Sequence, residues 1–181
     1  IFAGLSFSVP AGGALLLTGA NGAGKSSLLR VIAGLLPAAE GEVLLEGAPA
    51  RTDPAGHALR LRYISSQDAL KPALTVAENL AFYAALWGGE VTPALEALGL
   101  GALASLPGRV LSTGQRRRLA LARLALAPTR LWLLDEPSLG LDAASVARLG
   151  TLMARHRAAG GAILAATHLP LPLPDAVELK L

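Results

Sequence analysis

The chain has 181 residues, 52% of them hydrophobic but only 4% aromatic, with a formal net charge of +3 and no cysteine. That length supports one domain with a core made mostly of Leu, Ala and Val. So small a charge makes no case for nucleic acid, and none is expected as a partner; the lack of cysteine excludes disulfides, thiolate catalysis and Cys-ligated zinc.

Residues 1 to 24 carry no charge, but Pro10 and the glycines at 4, 12, 13, 19 and 22 argue against a spanning helix. No basic stretch precedes them as in a secretory signal, so a soluble chain is expected. It starts at Ile1 and its single methionine is Met153, which reads as a fragment with something missing upstream. Residues 1 to 9 alternate loosely and predict a strand, and Pro10 to Gly13 a turn. Ala14 to Thr18 is a short apolar run that reads as a buried strand.

Gly19-Ala20-Asn21-Gly22-Ala23-Gly24-Lys25-Ser26 then fits the pattern G-x-x-x-x-G-K-[ST] at every fixed position. Ser26 to Ala33 has helical spacing, with Gly34 and Pro37 as stop signals, so the pattern sits in the strand–loop–helix setting it needs. Glycines let the backbone curl until successive N–H groups point at phosphate oxygens, and the helix N-terminus adds its partial positive charge. Lys25 is expected to reach the β- and γ-phosphates, and the Ser26 hydroxyl to ligate Mg²⁺. With both flanks right, the chain reads as nucleotide-binding.

Beyond this helix, Gly41 to Gly47 predicts a short strand, 48 to 60 a surface loop, and Leu61 to Ser65 a strand ending just before Gln67. Thr75-Val76-Ala77-Glu78 is a capping box opening a helix to about Trp87. Pro93 to Leu98 reads as a short helix, and the stretch to Leu111 as loop. Ser112-Thr113-Gly114-Gln115 is a second capping box, with its helix running to about Ala127. Leu131 to Leu134 predicts a strand, Ala143 to Ala159 a helix and Ala162 to Thr167 a strand. Strands alternating with helices on either side of a helical stretch imply an α/β sheet with an insertion at about 68 to 115.

Leu131-Trp132-Leu133-Leu134-Asp135-Glu136 delivers two carboxylates to the end of a buried strand, where parallel sheets bind ligands. Asp135 suits direct or indirect Mg²⁺ binding, and Glu136 is placed to polarise an attacking water; the plain structural reading is a strand ending in surface acids. Ser112 to Gln115 also serves as a simple helix cap. Arg116, Arg117 and Arg118, however, crowd a helix start where cations are disfavoured, a conflict that an anion there would resolve. Gln67 and His168 taken singly are ordinary surface residues, and no spacing suggests zinc.

The loop ending at Lys25-Ser26, Gln67, Leu111-Ser112-Thr113-Gly114-Gln115, Leu134-Asp135-Glu136-Pro137, Ser138-Leu139-Gly140-Leu141-Asp142 and His168 form an ordered set. Together they resemble the ATP-binding cassette family over essentially the whole chain. The resemblance implies a P-loop NTPase core (about 1–67 and 116–181) with a mostly parallel sheet, N-terminal antiparallel strands and an inserted helical subdomain (about 68–115). It places ATP on Gly19, Ala20, Asn21, Gly22, Ala23, Gly24, Lys25, Ser26 and Ser27, and Mg²⁺ on Ser26, Gln67 and Asp135. Gln67 becomes the Q-loop residue, Asp142 the D-loop aspartate, Glu136 the catalytic carboxylate and His168 the switch histidine.

Members of that family dimerise head to tail, so Ser112, Gly114 and Gln115 would close over ATP held by Lys25 of a second copy. Thr113 replaces the commoner glycine, and the adenine-stacking aromatic falls at or before Ile1, with Phe2 a poor candidate. Glu78 to Tyr83, Leu131 to Pro137, Gly160 to Ile163 and Thr167 to Leu171 resemble the ATPase subunits of the bacterial cytochrome c maturation system. This implies haem export with integral membrane permease subunits, peripherally on the cytoplasmic face of the inner membrane. Another ABC exporter, or a non-transport ABC protein of translation or DNA repair, is the alternative.

Overall fold

Ala14–Thr18 forms strand β1, and the computed structural model, which describes residues 2–181, builds a five-stranded sheet around it. Strand β4 is Leu61–Ile64, β5 Leu131–Asp135, β6 Ala162–Ala166 and β7 Val177–Lys180, in the order β4-β5-β6-β1-β7. Every pairing is parallel, with Leu16 opposite Ala165, Ile64 opposite Leu134 and Asp135 opposite Ala166. Parallel strands covered on both faces read as continuous apolar runs, and β5 is buried along its whole length.

Alternation along the strands divides these residues between two cores. Leu15, Leu17, Leu131, Leu133, Leu164 and Ala166 pack on Leu28, Leu29 and Ile32 of helix α1 (Lys25–Ile32). Trp132, Leu134, Ile163 and Ala165 face the other way. There they meet α3 (Val76–Trp87), α4 (Val91–Ala97), α5 (Thr113–Ala122) and α6 (Ala143–Ala158), including Leu80, Leu95, Leu121 and Met153. The helices of the 68–115 stretch therefore share a core with one face of the sheet. Both expected capping boxes form, Thr75 with Glu78 and Ser112 with Gln115.

Three local expectations change. Residues 2–9 form no strand: Phe2, Leu5 and Val9 pack against the α1-side core, but the backbone finds no ladder partner and Gly4 turns to φ 65. Ile1 lies outside the described residues. The antiparallel element is instead a small hairpin, β2 (Leu44–Leu45) with β3 (Ala48–Pro49), turned by Glu46 and Gly47 at φ 54 and 78. Positive φ at both turn residues matches the twist of the flanking strands. The supposed loop at 48–60 also contains helix α2 (Pro54–Arg60), started by Asp53, whose carboxylate accepts from the Gly56 N–H at 2.9 Å, with proline in the first turn.

Candidate active site

Strand order decides where the chemistry gathers. With β6 between β5 and β1, the loop after β1, the acids ending β5 and the Thr167–His168 step after β6 gather at the carboxyl end of the sheet. Gly24 caps α1 at φ 104 and Gly19 sits at φ 133, conformations open to glycine. A Cβ on Gly19 would also lie 2.6 Å from the Leu181 carbonyl oxygen. No side chain caps the first turn of α1, and no acid occupies it. Lys25 is buried and folded back along this loop, its Nζ donating to the carbonyls of Gly19 at 2.8 Å and Ala20 at 2.9 Å.

At this end of the sheet the Ser26 hydroxyl donates to Asp135 Oδ1 at 2.9 Å, joining residues 109 apart in sequence. Asp135 is 2% exposed, and its Oδ2 is buried without a hydrogen-bond partner. A buried orphan carboxylate oxygen beside a serine hydroxyl suits a divalent cation. Among the described residues no three His, Cys, Asp or Glu side chains cluster, so a metal here would take further ligands from water and phosphate, as Mg²⁺ does. Tyr63, on neighbouring β4, also has a buried, unpartnered hydroxyl. Burial raises its pKa, the nearby Arg30 guanidinium opposes this, and the Asp135 charge adds to the rise.

Glu136 is the strained residue of the site. Its backbone lies at φ 49, in the left-handed region that costs a non-glycine residue about 1–3 kcal/mol. The Glu136 N–H donates to the Ala166 carbonyl at 2.7 Å, and Oε1 lies 2.9 Å from His168 Nδ1. The His168 N–H adds a longer contact to Oε2 at 3.4 Å. The carboxylate and the imidazole are thus aimed at each other from the ends of adjacent strands.

The other expected residues stay local. Gln67 is exposed on a turn in which Ser65 Oγ donates to the Gln67 carbonyl at 2.8 Å. Ser112 and Gln115 satisfy one another, Gln115 Oε1 accepting from the Ser112 N–H at 2.8 Å, and Ser112 remains exposed. Gly114 abuts the neighbouring loop, where a Cβ would meet the Gly140 carbonyl oxygen at 2.9 Å. Asp142 caps α6 through Ser145, whose hydrogen bonds hold its carboxyl below the usual range.

The arginine conflict at the start of α5 is resolved without an anion. Arg116 donates to the Leu111 carbonyl at 3.0 Å, and Arg118 to those of Leu98 and Gly99, both at 3.1 Å, just past the C-terminus of α4. A helix C-terminus is where a cation is favoured. Arg117, only 3% exposed, turns into the core beneath Asp135 and Glu136. Its burial was legible as a position three and four residues before buried Ala120 and Leu121; reading the three arginines as one surface cluster hid it.

The sequence model of the ABC transporter family matches residues 2–139. The chain belongs to the ABC transporter family. It is 52% identical over 188 residues to the cytochrome c biogenesis ATP-binding export protein CcmA of Paramagnetospirillum magneticum, covering 100% of this chain and 87% of that protein. Identity to the Rhodospirillum rubrum protein of the same name is 53% over 184 residues, covering 100% and 79%. Among solved structures, an ATP-binding subunit of an ABC transporter superposes with a TM-score of 0.81 at 29% identity, covering 90% of this chain and 71% of that one. Among the described residues no helix of this ABC ATPase is long and apolar enough to cross a membrane.

Proposed function

We propose that this chain is the ATP-hydrolysing subunit of a membrane exporter serving cytochrome c biogenesis, with haem as its cargo. Relatives alike over the whole chain are named as cytochrome c biogenesis ATP-binding export proteins, and haem as the cargo is our inference from that role. The observation that carries the reading is the 2.9 Å bond between Ser26 and Asp135, which joins the glycine loop to the acid-bearing strand beside the Glu136–His168 pair.

In this mechanism the amides of Gly22 to Ser27 and the Lys25 ammonium bind the triphosphate, Lys25 exchanging the Gly19 and Ala20 carbonyls for phosphate oxygens. Ser26 and Asp135, with Gln67 reached from its turn, would hold Mg²⁺, which neutralises phosphate charge when bound. Glu136 orients and polarises the attacking water, and His168 steadies the Glu136 carboxylate and meets the γ-phosphate. Ser112, Gly114 and Gln115, exposed or half-exposed at the start of α5, close over ATP on a second copy. A homodimer so built would sit on integral membrane permease subunits at the cytoplasmic face of the inner membrane.

Glu136→Gln tests the assignment: hydrolysis should fall by about 10²–10⁴-fold while ATP binding survives and an ATP-bound dimer accumulates on a sizing column. A variant hydrolysing at the parental rate refutes the role. Mass spectrometry of proteins that copurify from membranes tests the cargo. Permeases of cytochrome c maturation support it, and ribosomal proteins or DNA overturn it.

A further inference from the structure

We infer that Arg117 is a positioning residue that clamps the turn carrying Gln67 to the strand end carrying Asp135 and Glu136, so that loading of one is felt by the other. The inference rests on the reading of this site as an ATPase.

A guanidinium has five N–H donors in a rigid planar fork, and in Arg117 all five have acceptors. Nε donates to the Pro137 carbonyl at 3.3 Å. Nη1 donates to the Ser65 carbonyl at 2.7 Å and to Asp68 Oδ1 at 3.2 Å. Nη2 donates to the carbonyls of Asp135 at 2.8 Å and Glu136 at 2.9 Å. One side of the fork therefore holds the 65–68 turn, and the other holds three consecutive carbonyls at the end of β5. Four of the five acceptors are backbone atoms, so the clamp fixes chain position rather than side-chain charge.

The turn is gripped a second time from the 3₁₀ turn that follows α5, Arg123–Ala125. Arg123 Nη2 donates to the Asp68 carbonyl at 3.2 Å, while its Nη1 reaches the Tyr83 hydroxyl at 3.0 Å. Ala69, next along, lies at φ 46, so the turn ends in a strained residue. At the other end of the clamp Glu136 is itself strained, and three contacts hold it there: its N–H on Ala166, its side chain on His168, and its carbonyl on Arg117. Strain of this kind persists only where the surroundings over-determine it. Removing Arg117 frees the Glu136 carbonyl to rotate and moves the carboxylate off the line it needs. A displacement of about 1 Å in such a group costs on the order of 10²-fold in rate.

The test uses the full-length chain purified with its membrane partner, measuring kcat, KM for MgATP and Kd for a fluorescent ATP analogue. Arg117→Lys keeps the charge but has only three donors on one atom, and should lower kcat by about 10–100-fold with Kd within about twofold of the parent. Asp68→Asn should lower kcat less, and its loss should not add to that of Arg117→Lys, because both act through one clamp. If Arg117→Lys does not fold, Asp68→Asn carries the test: a lowered kcat with Kd unchanged supports the clamp, and a parental kcat overturns it. A kcat within about twofold of the parent in Arg117→Lys, or equal losses in kcat and ATP affinity, overturns the clamp. Lys25→Ala is run beside them. Parental hydrolysis in that variant would instead overturn the reading of the site, which separates the two failures.

Discussion

Asp135→Asn should make the protein more stable and less able to use ATP. The Asp135 side chain is 2% exposed, with one oxygen bound to Ser26 and the other unpartnered. A buried polar atom left without a partner costs about 1–3 kcal/mol, and more when charged. Asparagine keeps the oxygen that accepts from Ser26 and replaces the orphan charged oxygen with a neutral amide, recovering about 1–2 kcal/mol of that cost. For a chain of this size each kcal/mol moves the melting temperature by about 2–4 °C, so the variant should melt roughly 2–8 °C higher. The assay is thermal unfolding followed by circular dichroism, in EDTA without nucleotide. Added MgATP should then raise the parent's melting temperature through binding and raise the variant's by less, because the triphosphate contacts remain while the metal loses its carboxylate. A variant that melts below the parent in EDTA would show that Oδ2 is already satisfied, and the argument for a cation at this oxygen would fall with it.

Two further outcomes follow from the cores. His156 stacks on Trp132 with ring centroids 3.8 Å apart and Nε2 3.1 Å from the Ala162 carbonyl; burial lowers its pKa from 6.5, the carbonyl partly opposing. Below pH 6.5 the unfolded chain binds a proton that the folded one resists, so this contribution to stability is intact above 6.5 and lost progressively as pH falls. Urea unfolding of the parent and His156→Phe between pH 8 and about pH 5 checks this: the variant should decline less steeply, and equal slopes refute it. Leu133→Ala, at a fully buried position in the middle of β5, should cost about 2–5 kcal/mol in the same assay. A loss below about 1 kcal/mol would mean that the α1-side core collapses around the gap.

What the sequence determined alone was whatever depends on local pattern. Gly19 to Ser26 between a strand and a helix, the two capping boxes, the acids closing an apolar run and the family resemblance were all legible, because spacing and residue type are themselves the physical requirement. The family, the mostly parallel sheet and the cytochrome c relationship stand as expected. Local pattern also misled where a partner was needed. Residues 2–9 alternate like a strand but find no edge to pair with, whereas Val177–Lys180 becomes one by lying against β1.

Only the tertiary structure decided which distant groups meet. Strand order brings Ser26 to Asp135 and His168 to Glu136, contacts spanning 109 and 32 residues that no local spacing encodes. The same holds for Arg117. As one of three arginines in a row it looked like a charge misplaced on a helix start, yet a buried face and a ring of carbonyls from two other segments make it the best-satisfied side chain near the site. Hydrogen-bond partners are set by where the backbone ends up, and the backbone's course is a property of the whole sheet.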